Sequence, residues 1–587
     1  MRKYETVVAA QSERIYEFGD FRLDSGKRLL TRDGTPVSLT AKAFDTLAYL
    51  VEHSGRVLQR DELMGAVWPD TAVEANNLNQ NISILRRVLG EGRGEHRYIA
   101  TLPSRGYQFV ARVRVAAKAA GSVRTHEPSI VVLPFVNLTG DSDYEYFGDG
   151  LAEELINTLS RLGRVRVVAR TSAFSFKGKQ LDIREIAEKL RVSLILEGSV
   201  RRSGNRLRIT AQLINAADGY HLWSGRYNRE IEIRDVFDVQ DEITLAVVDA
   251  LKLKLTGGEK TGVLKHHTRT VKAHELYLKG RFHLFRMTPS GIKTGMSYLN
   301  QAIQSDPGDA LAQVGLAHAY RMFALSLEMP PGEVLPKAKA AAEKAVELDP
   351  TLAEAYAVLG FNIFWFDWAW EAAEKHFQRA LRLDPKNADA HWMYAHLCSN
   401  TGRHREALDE IRQARELDPL SGLMNAMEGQ FLLHAGHTDE ALARLREALE
   451  LDPNSRVAHL FTASAYIEKG LFAEAIAEAR ASLVLSPASS QAVAFEAYAN
   501  AKLGRLAEAR AALNELSQRS RDRFIPPYYI AMVCNGIGET AEALMWLERG
   551  FEHRDPKMVF LNVEPKWKNV RDHPRFVSLL KQMNLFV

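Results

Sequence analysis

The stretch NLNQNISILRRVLG, residues 77–90, carries four amide side chains and two arginines in a helical pattern. At about 100° per residue, one face of this helix is apolar and consists of Leu78, Ile82, Leu85 and Leu89. The opposite face is polar and carries Asn76, Gln80, Ser83 and Arg87. The residues that flank this polar face are Asn77, Asn81, Ile84 and Arg86. The pattern predicts one leucine stripe in a core and a polar face turned towards a partner.

The polar groups suit a DNA duplex, because Asn and Gln can pair with adenine and Arg can pair with guanine or phosphate. Between Ile82 and Arg114, seven arginines stand against two acids, a local excess of +5, while the whole chain carries only +3. The alternative is a solvated helix face, which composition alone favours since amides are common on surfaces. The order of the neighbouring elements shifts this balance towards DNA.

The helix is the third in a domain that we place at residues 14–114. Two alternating runs come first, YEFGDFRL and KRLLTRDG, and the letters RDG mark a hairpin turn. A first helix starts near SLTAKAF and ends at Gly55, and a second helix spans about 59–68 and is closed by Pro69. The last part, HRYIATLPSRGYQFVARV, predicts a hairpin around PSRG.

This domain resembles the OmpR/PhoB-type winged helix-turn-helix. The resemblance runs through LTAKAFDTLAYLVEHSGRVLQRDELMGAVW, NNLNQNISILRRVLG and YIATLPSRGYQFVARV, and the hairpin reads closer to the CadC-like, one-component branch. It implies that the third helix enters the major groove and that the hairpin, the wing, touches the adjacent backbone or minor groove. The implied groove contacts are Asn76, Asn77, Gln80, Asn81, Ser83 and Ile84. Arg86 and Arg87 would hold phosphates or guanine, and Thr101 and Arg105 would lie on the wing.

The second half of the chain is periodic. Helix-ending prolines recur at Pro307, Pro350, Pro385, Pro419, Pro453 and Pro487, and the last three intervals are 34 residues each. Turn glycines at Gly402, Gly436, Gly470 and Gly504 keep the same step. A fixed period of this length indicates a solenoid of helix pairs. The pattern resembles a tetratricopeptide repeat array, with about eight units over 274–555 and a C-terminal cap, which we place together at residues 274–585.

Such arrays offer concave protein-binding surfaces, so the resemblance predicts a protein or peptide ligand on the concave face. The aromatic run FNIFWFDWAW, from Phe361 to Trp370, has two interpretations. It either packs between repeats, which we favour, or anchors a partner peptide.

Strands and helices alternate between residues 128 and 255, after a linker over 112–128, and predict a central α/β domain. It resembles the TolB-N-like domain through VLPFVNLTGD, FGDGLAEEL, LEGSVRRSGNRLRI and LWSGRY. Within FGDG, the spacing favours a helix start capped by Asp149 over a metal loop. Residues 160–210 hold 13 basic and four acidic side chains, which we interpret as solvated surface more readily than as a second anion-binding area.

The predicted fold class is therefore a winged helix (α+β), an α/β domain and an all-α solenoid. The longest apolar run has about eight residues, too short for a membrane span, and the two cysteines are far apart, as in a reducing cytoplasm. About 14 residues precede the winged helix, so we expect no receiver domain. No motif predicts a catalytic residue, a metal site or a cofactor.

These features predict a cytoplasmic, one-component transcription regulator with double-stranded DNA and a protein ligand as partners, not an enzyme. The alternative is a scaffold protein whose repeats bind a partner and whose winged helix does not read DNA. Nothing in the sequence fixes the oligomeric state.

Overall fold

The computed structural model describes residues 15–25, 29–32, 35–37, 39–68, 75–92, 95–103, 105–116, 128–139, 145–203, 206–230, 233–251, 270–286, 288–326 and 330–585. The chain forms two compact units, Met1–His126 and Glu127–Val587. The predicted fold class is confirmed, since strands and helices come first, a mixed α/β domain follows, and helices make up the rest. Of the predicted linker, residues 117–127 lie outside the described residues.

The first unit combines two antiparallel sheets with three helices. Its elements are β1 (Ile15–Phe18), β2 (Phe21–Asp24), β3 (Leu29–Arg32), β4 (Thr35–Val37), α1 (Ala41–Glu52), β5 (Val57–Leu58), α2 (Arg60–Val67), α3 (Ala75–Val88), β6 (Ile99–Leu102), β7 (Gly106–Phe109) and β8 (Arg114–Ala116). One sheet has the order β4-β3-β2-β1-β8 and the other has the order β5-β7-β6. The α1 helix begins at a Thr40 cap, whose hydroxyl accepts the Ala43 amide at 3.3 Å.

The leucine stripe of α3 lies in the core of this unit, as the helical period predicts. Leu78, Ile82, Leu85 and Leu89 are buried against the apolar face of α1 and against the two sheets. An aromatic cluster joins the N-terminal sheet to the final hairpin, with the Phe18 and Phe109 ring centroids 5.0 Å apart. Burial on this side of α3 fixes which side chains remain on the outer side.

The central domain contains a six-stranded mixed sheet with helices. Its elements are β9 (Ser129–Val132), β10 (Val136–Asn137), α4 (Glu145–Ser160), β11 (Arg166–Val167), α5 (Arg170–Phe174), α6 (Ile183–Leu190), β12 (Leu194–Ser203), β13 (Arg206–Asn215), β14 (His221–Glu230) and α7 (Ile233–Ala250). The order is β11-β9-β12-β13-β14, and β10 pairs with β12. The predicted cap at Asp149 is wrong, because α4 begins four residues earlier, at Glu145. Asp149 is buried inside the helix and accepts Lys177 Nζ at 2.8 Å.

Beyond residue 270, the described residues contain sixteen helices that pair consecutively, and we call the pairs repeats 1 to 8. The pairs are Val271–Leu284 with Pro289–Ser305, Ala310–Ser326 with Pro331–Leu348, Ala353–Asn362 with Trp370–Leu383, Ala388–Asn400 with His404–Leu417, Gly422–His434 with Thr438–Leu451, Arg456–Glu468 with Phe472–Leu485, Ser490–Lys502 with Leu506–Arg519, and Pro527–Ile537 with Thr540–Glu552. The six predicted prolines each lie two residues after the last residue of a helix, which fits their inability to continue it.

The array is closed by contacts of repeat 3 with repeat 8 and with the residues that follow repeat 8. The ring centroids of Trp368 and Phe551 are 5.4 Å apart, and Trp370 Nε1 donates to the Met583 carbonyl at 2.7 Å. A π-helical turn at Ile363–Asp367 and a left-handed Trp368, with φ of 56°, shape the contact. Trp365, Trp368 and Trp370 are buried. The aromatic run is therefore part of the packed core, which is the interpretation the sequence favours.

The residues after repeat 8 turn back into the array. This C-terminal segment, residues 555–585, has two 3-10 turns, Pro556–Phe560 and Pro565–Val570, and one helix, Pro574–Gln582. Its Phe560 ring centroid lies 6.0 Å from that of His396 in repeat 4 and 5.9 Å from that of His434 in repeat 5. The predicted cap therefore also covers the first helices of several repeats.

Candidate nucleic-acid interface

The outer face of α3 presents a row of polar side chains to solvent. Asn77, Gln80, Ser83 and Arg87 are exposed, and Ile84 is half-buried beside them. The side chain of Asn76 lies outside the described part of the chain, although its backbone belongs to α3. Because the buried leucine stripe holds the other side of the helix, these side chains share one accessible surface.

Asn81 does not lie on that surface. Its side chain is buried, with 7% exposure, and its Nδ2 donates to Thr46 Oγ1 at 3.2 Å. The Thr46 hydroxyl in turn donates to the Lys42 carbonyl at 2.7 Å. The predicted groove contact for Asn81 is therefore corrected, because this amide joins α3 to α1 inside the domain.

Arg86 is also turned inward, towards the wing. Its Nη2 donates to the Ile99 carbonyl at 2.9 Å and to Thr101 Oγ1 at 2.7 Å. Its Nε lies 3.6 Å from Glu91 Oε2, and the Glu91 carboxylate is fully buried. The assignment of Arg86 and Thr101 to DNA contacts is corrected in the same way, because these residues bind each other and attach α3 to β6.

The two adjacent arginines of α3, Arg86 and Arg87, thus differ in position. Arg87 is exposed on the outer face, whereas Arg86 is half-buried and already bound. A guanidinium with no hydrogen bond to other described residues can approach a phosphate without breaking an internal bond. Arg87 is therefore the arginine of this pair that is accessible to a DNA phosphate.

The wing is short and its tip is basic. Arg105 is exposed at the turn between β6 and β7. Gly106 follows with φ of 125°, and a Cβ there would lie 2.0 Å from the Leu58 carbonyl oxygen, so this position requires glycine. This close approach places β7 beside β5 and so fixes the position of the turn that carries Arg105.

The sequence pattern alone does not identify one exposed polar residue of α3. Asn79 is exposed on α3, and its Oδ1 accepts the Tyr107 hydroxyl from the wing at 2.7 Å. The Arg60 guanidinium, at the start of α2, lies 5.9 Å from the centre of the Tyr107 ring. The sequence signal for this contact is the tyrosine of RGYQF, because a tyrosine hydroxyl needs a hydrogen-bond partner when its ring is buried. Asn79 therefore belongs to the same surface as Gln80 and Ser83.

Similar proteins identify the three parts of the chain. Residues 34–109 match the family described as transcriptional regulatory protein, C terminal. The N-terminal domain is an OmpR/PhoB-type winged helix. Residues 126–245 match the family described as HilA/YgeH-like transcriptional regulator, second domain. This match covers the region predicted from the sequence to be TolB-N-like. Residues 369–430 and 432–482 match a tetratricopeptide repeat family, so the predicted repeats are confirmed.

Relatives of the chain are bacterial proteins. A protein named putative adenylate cyclase 3 from Rhizobium meliloti (strain 1021) is 36% identical over 240 residues, which cover 41% of this chain and 40% of the relative. Transcriptional regulator HilA from Salmonella typhi is 27% identical over 408 residues, 68% of this chain and 70% of HilA. Transcriptional activator CadC from Escherichia coli (strain K12) is 33% identical over 100 residues, 17% of this chain and 20% of CadC. The solved DNA-binding domain of E. coli CadC is 33% identical, with 18% of this chain and 99% of that domain covered and a TM-score of 0.16.

Metal-ligating side chains converge at one place within the described residues, at Cys534, Glu539 and Glu542 in repeat 8. Burial raises the pKa of the Cys534 thiol to about 12. None of the helices in the described ranges is long and apolar enough to cross a membrane.

Proposed function

We propose that this chain is a one-component transcriptional regulator that binds a specific DNA sequence in the cytoplasm. The observation that carries the proposal is the exposed row of Asn77, Gln80, Ser83 and Arg87, backed by a buried leucine stripe on the same helix. The matched domain family and the names of HilA and CadC support it. The three domains at 14–114, 128–255 and 274–585 divide the work, with DNA bound by the first.

The residues of the interface have two roles. Asn76, Asn77, Asn79, Gln80 and Ser83, with the half-buried Ile84 beside them, face base edges in the major groove. Arg87 on the helix and Arg105 on the wing hold phosphates, which position the domain without reading sequence. Arg86, Thr101 and Asn81 shape the surface from within.

The central domain and the repeats receive the signal, and the repeats bind a protein partner. Catalysis is not part of this proposal, because HilA and CadC are named as transcription regulators. The second candidate is a scaffold protein with a winged helix that does not read DNA, and the closed repeat array favours neither candidate.

A DNA-binding assay separates the two. A fragment of residues 1–126 should shift DNA from the promoter region of its own gene, and its affinity should fall steeply as the salt concentration rises. Replacing Gln80 with Ala should cost about 1–3 kcal/mol at particular base pairs and little on unrelated DNA. The exposed Arg22, on the N-terminal sheet, offers a control, and Arg22→Ala should leave sequence preference unchanged. A fragment that is folded but binds no DNA, or binds every sequence equally, would favour the scaffold.

A further inference from the structure

Several first helices of the repeats are buried on almost every side. In repeat 4, all eleven residues from Ala390 to Asn400 are buried, whereas the second helix of the same repeat buries only one face. Neighbouring repeats can cover two sides of a first helix, and its own second helix covers another. Something else must therefore cover the remaining, inward side.

The C-terminal segment, residues 555–585, provides that cover. Phe560 packs on Trp365 of repeat 3, with ring centroids 5.7 Å apart, and on the histidines of repeats 4 and 5. The Lys566 ammonium donates to Ser464 Oγ of repeat 6 at 2.7 Å and lies 4.8 Å from the centre of the Phe495 ring of repeat 7. The segment thus contacts five consecutive repeats.

The contacts with repeat 8 resemble those of a bound peptide, with side chains in pockets and main-chain groups paired. Trp567 is fully buried, and its Nε1 donates to the Tyr528 hydroxyl at 2.9 Å. Asn535 Nδ2 donates to the Lys566 carbonyl at 2.7 Å, and the side chains of Asn535 and Asn569 donate to each other. Hydrogen bonds to the main chain of a bound segment give affinity that does not depend on its side chains.

We propose that the inner face of repeats 3 to 8 is a peptide-binding groove whose resident ligand is the chain's own C-terminal segment. A protein that reaches this face must displace this segment, in which a lysine is followed directly by a tryptophan, Lys566 and Trp567. The concave-face site predicted from the sequence is therefore filled within the molecule. This inference refines the partner surface of the proposed function and rests on it only there.

Cutting the connection between repeat 8 and the C-terminal segment, with the rest of the chain left intact, tests the proposal. A specific protease site is inserted between Glu552 and His553, in an exposed turn. After cleavage, the C-terminal fragment should co-elute with the repeats in size-exclusion chromatography. A fluorescent synthetic peptide of residues 553–587 should then exchange into the cleaved protein over hours, while the uncleaved chain should not bind it.

Two variant peptides serve as matched probes. A peptide with Trp567→Ala should compete at least about 100-fold more weakly, because it loses a fully buried aromatic ring. A peptide with Lys568→Ala should compete within about fivefold, because the Lys568 side chain is 70% exposed and its ion pair with Glu468 lies on the surface.

Three results would overturn the proposal. The uncleaved chain could bind the peptide as tightly as the cleaved chain does, which would mean that the groove is open. The fragment could stay bound without any exchange, or the array could unfold when it leaves, and either would make the segment part of the repeat core. No DNA enters this experiment, so its outcome is separate from that of the DNA-binding assay.

Discussion

Two adjacent arginines on α3 should respond in opposite ways to the same substitution. Arg86→Ala should destabilise the N-terminal unit without a specific defect in DNA binding, and Arg87→Ala should weaken DNA binding without a change in stability. The reason is the difference in position, since Arg86 binds Ile99, Thr101 and Glu91 within the domain and Arg87 is exposed.

The size of the Arg86 effect follows from its contacts. Two hydrogen bonds from a charged donor are lost, each worth about 1.5–3 kcal/mol, and the fully buried Glu91 carboxylate loses its nearest cation. Because the Arg86 side chain is 27% exposed, water replaces part of the lost hydrogen bonding. We therefore expect the free energy of unfolding to fall by about 3 kcal/mol, the lower end of the range for two such bonds. For a domain of this size, that lowers the melting temperature by roughly 10–20 °C.

Thermal melts of residues 1–126 followed by circular dichroism measure the first effect, and gel shifts well below the melting temperature measure the second. Arg87→Ala should reduce affinity on all sequences and lower the salt slope by about one. Arg22→Ala removes the same charge from the N-terminal sheet and should change neither quantity. The reasoning would be refuted if Arg86→Ala melted like the wild type and lost affinity as Arg87→Ala does.

Three further results are expected. Leu85→Ala should destabilise the N-terminal unit by about 2–5 kcal/mol in a urea melt, because Leu85 is fully buried; an unchanged midpoint would mean that the helix register is wrong. Burial raises the pKa of Asp418 to about 6, so its contribution to stability is present below its ordinary pKa and is lost as the pH rises through 6. Asp418→Asn should therefore be more stable than the wild type at pH 8 and similar near pH 4, and urea melts that shift equally at both pH values would contradict this. Cys398 and Cys534 are buried, so the native chain should label with a thiol reagent far more slowly than the unfolded chain, and equal rates would contradict that packing.

The leucine stripe was predictable because burial along a helix follows its own period. The same wheel could have identified Asn81 and Arg86, since each lies only about 40° outside the stripe, one at either border. Residues at such borders become buried when a neighbouring element stands close, and here α1 and the wing do so. The period alone did not show on which side those elements stand.

The repeats show the same division between local and distant determinants. Prolines and glycines at a fixed step predict where each helix ends, because their effect on the backbone is local. Closure of the array depends on contacts such as that between Trp368 and Phe551, which are far apart in sequence and meet only after five repeats have accumulated their rotation. The residues of the predicted cap therefore lie inside the array, a place that the period of the repeats does not show.

The junction between the central domain and repeat 4 connects the two parts of the second unit energetically. The Ala169 amide donates to the Leu417 carbonyl at 2.9 Å, and the Ser172 amide donates to the buried Asp418 carboxylate at 2.8 Å. Leu420 then donates its amide to the Ser172 hydroxyl at 2.8 Å. A ligand that changes the spacing of repeats 4 and 5 must strain or break these hydrogen bonds, which is costly where they are buried. We therefore expect its binding energy to be shared with the central domain, and by reciprocity we expect any ligand of the central domain to change the affinity of the repeats for a partner.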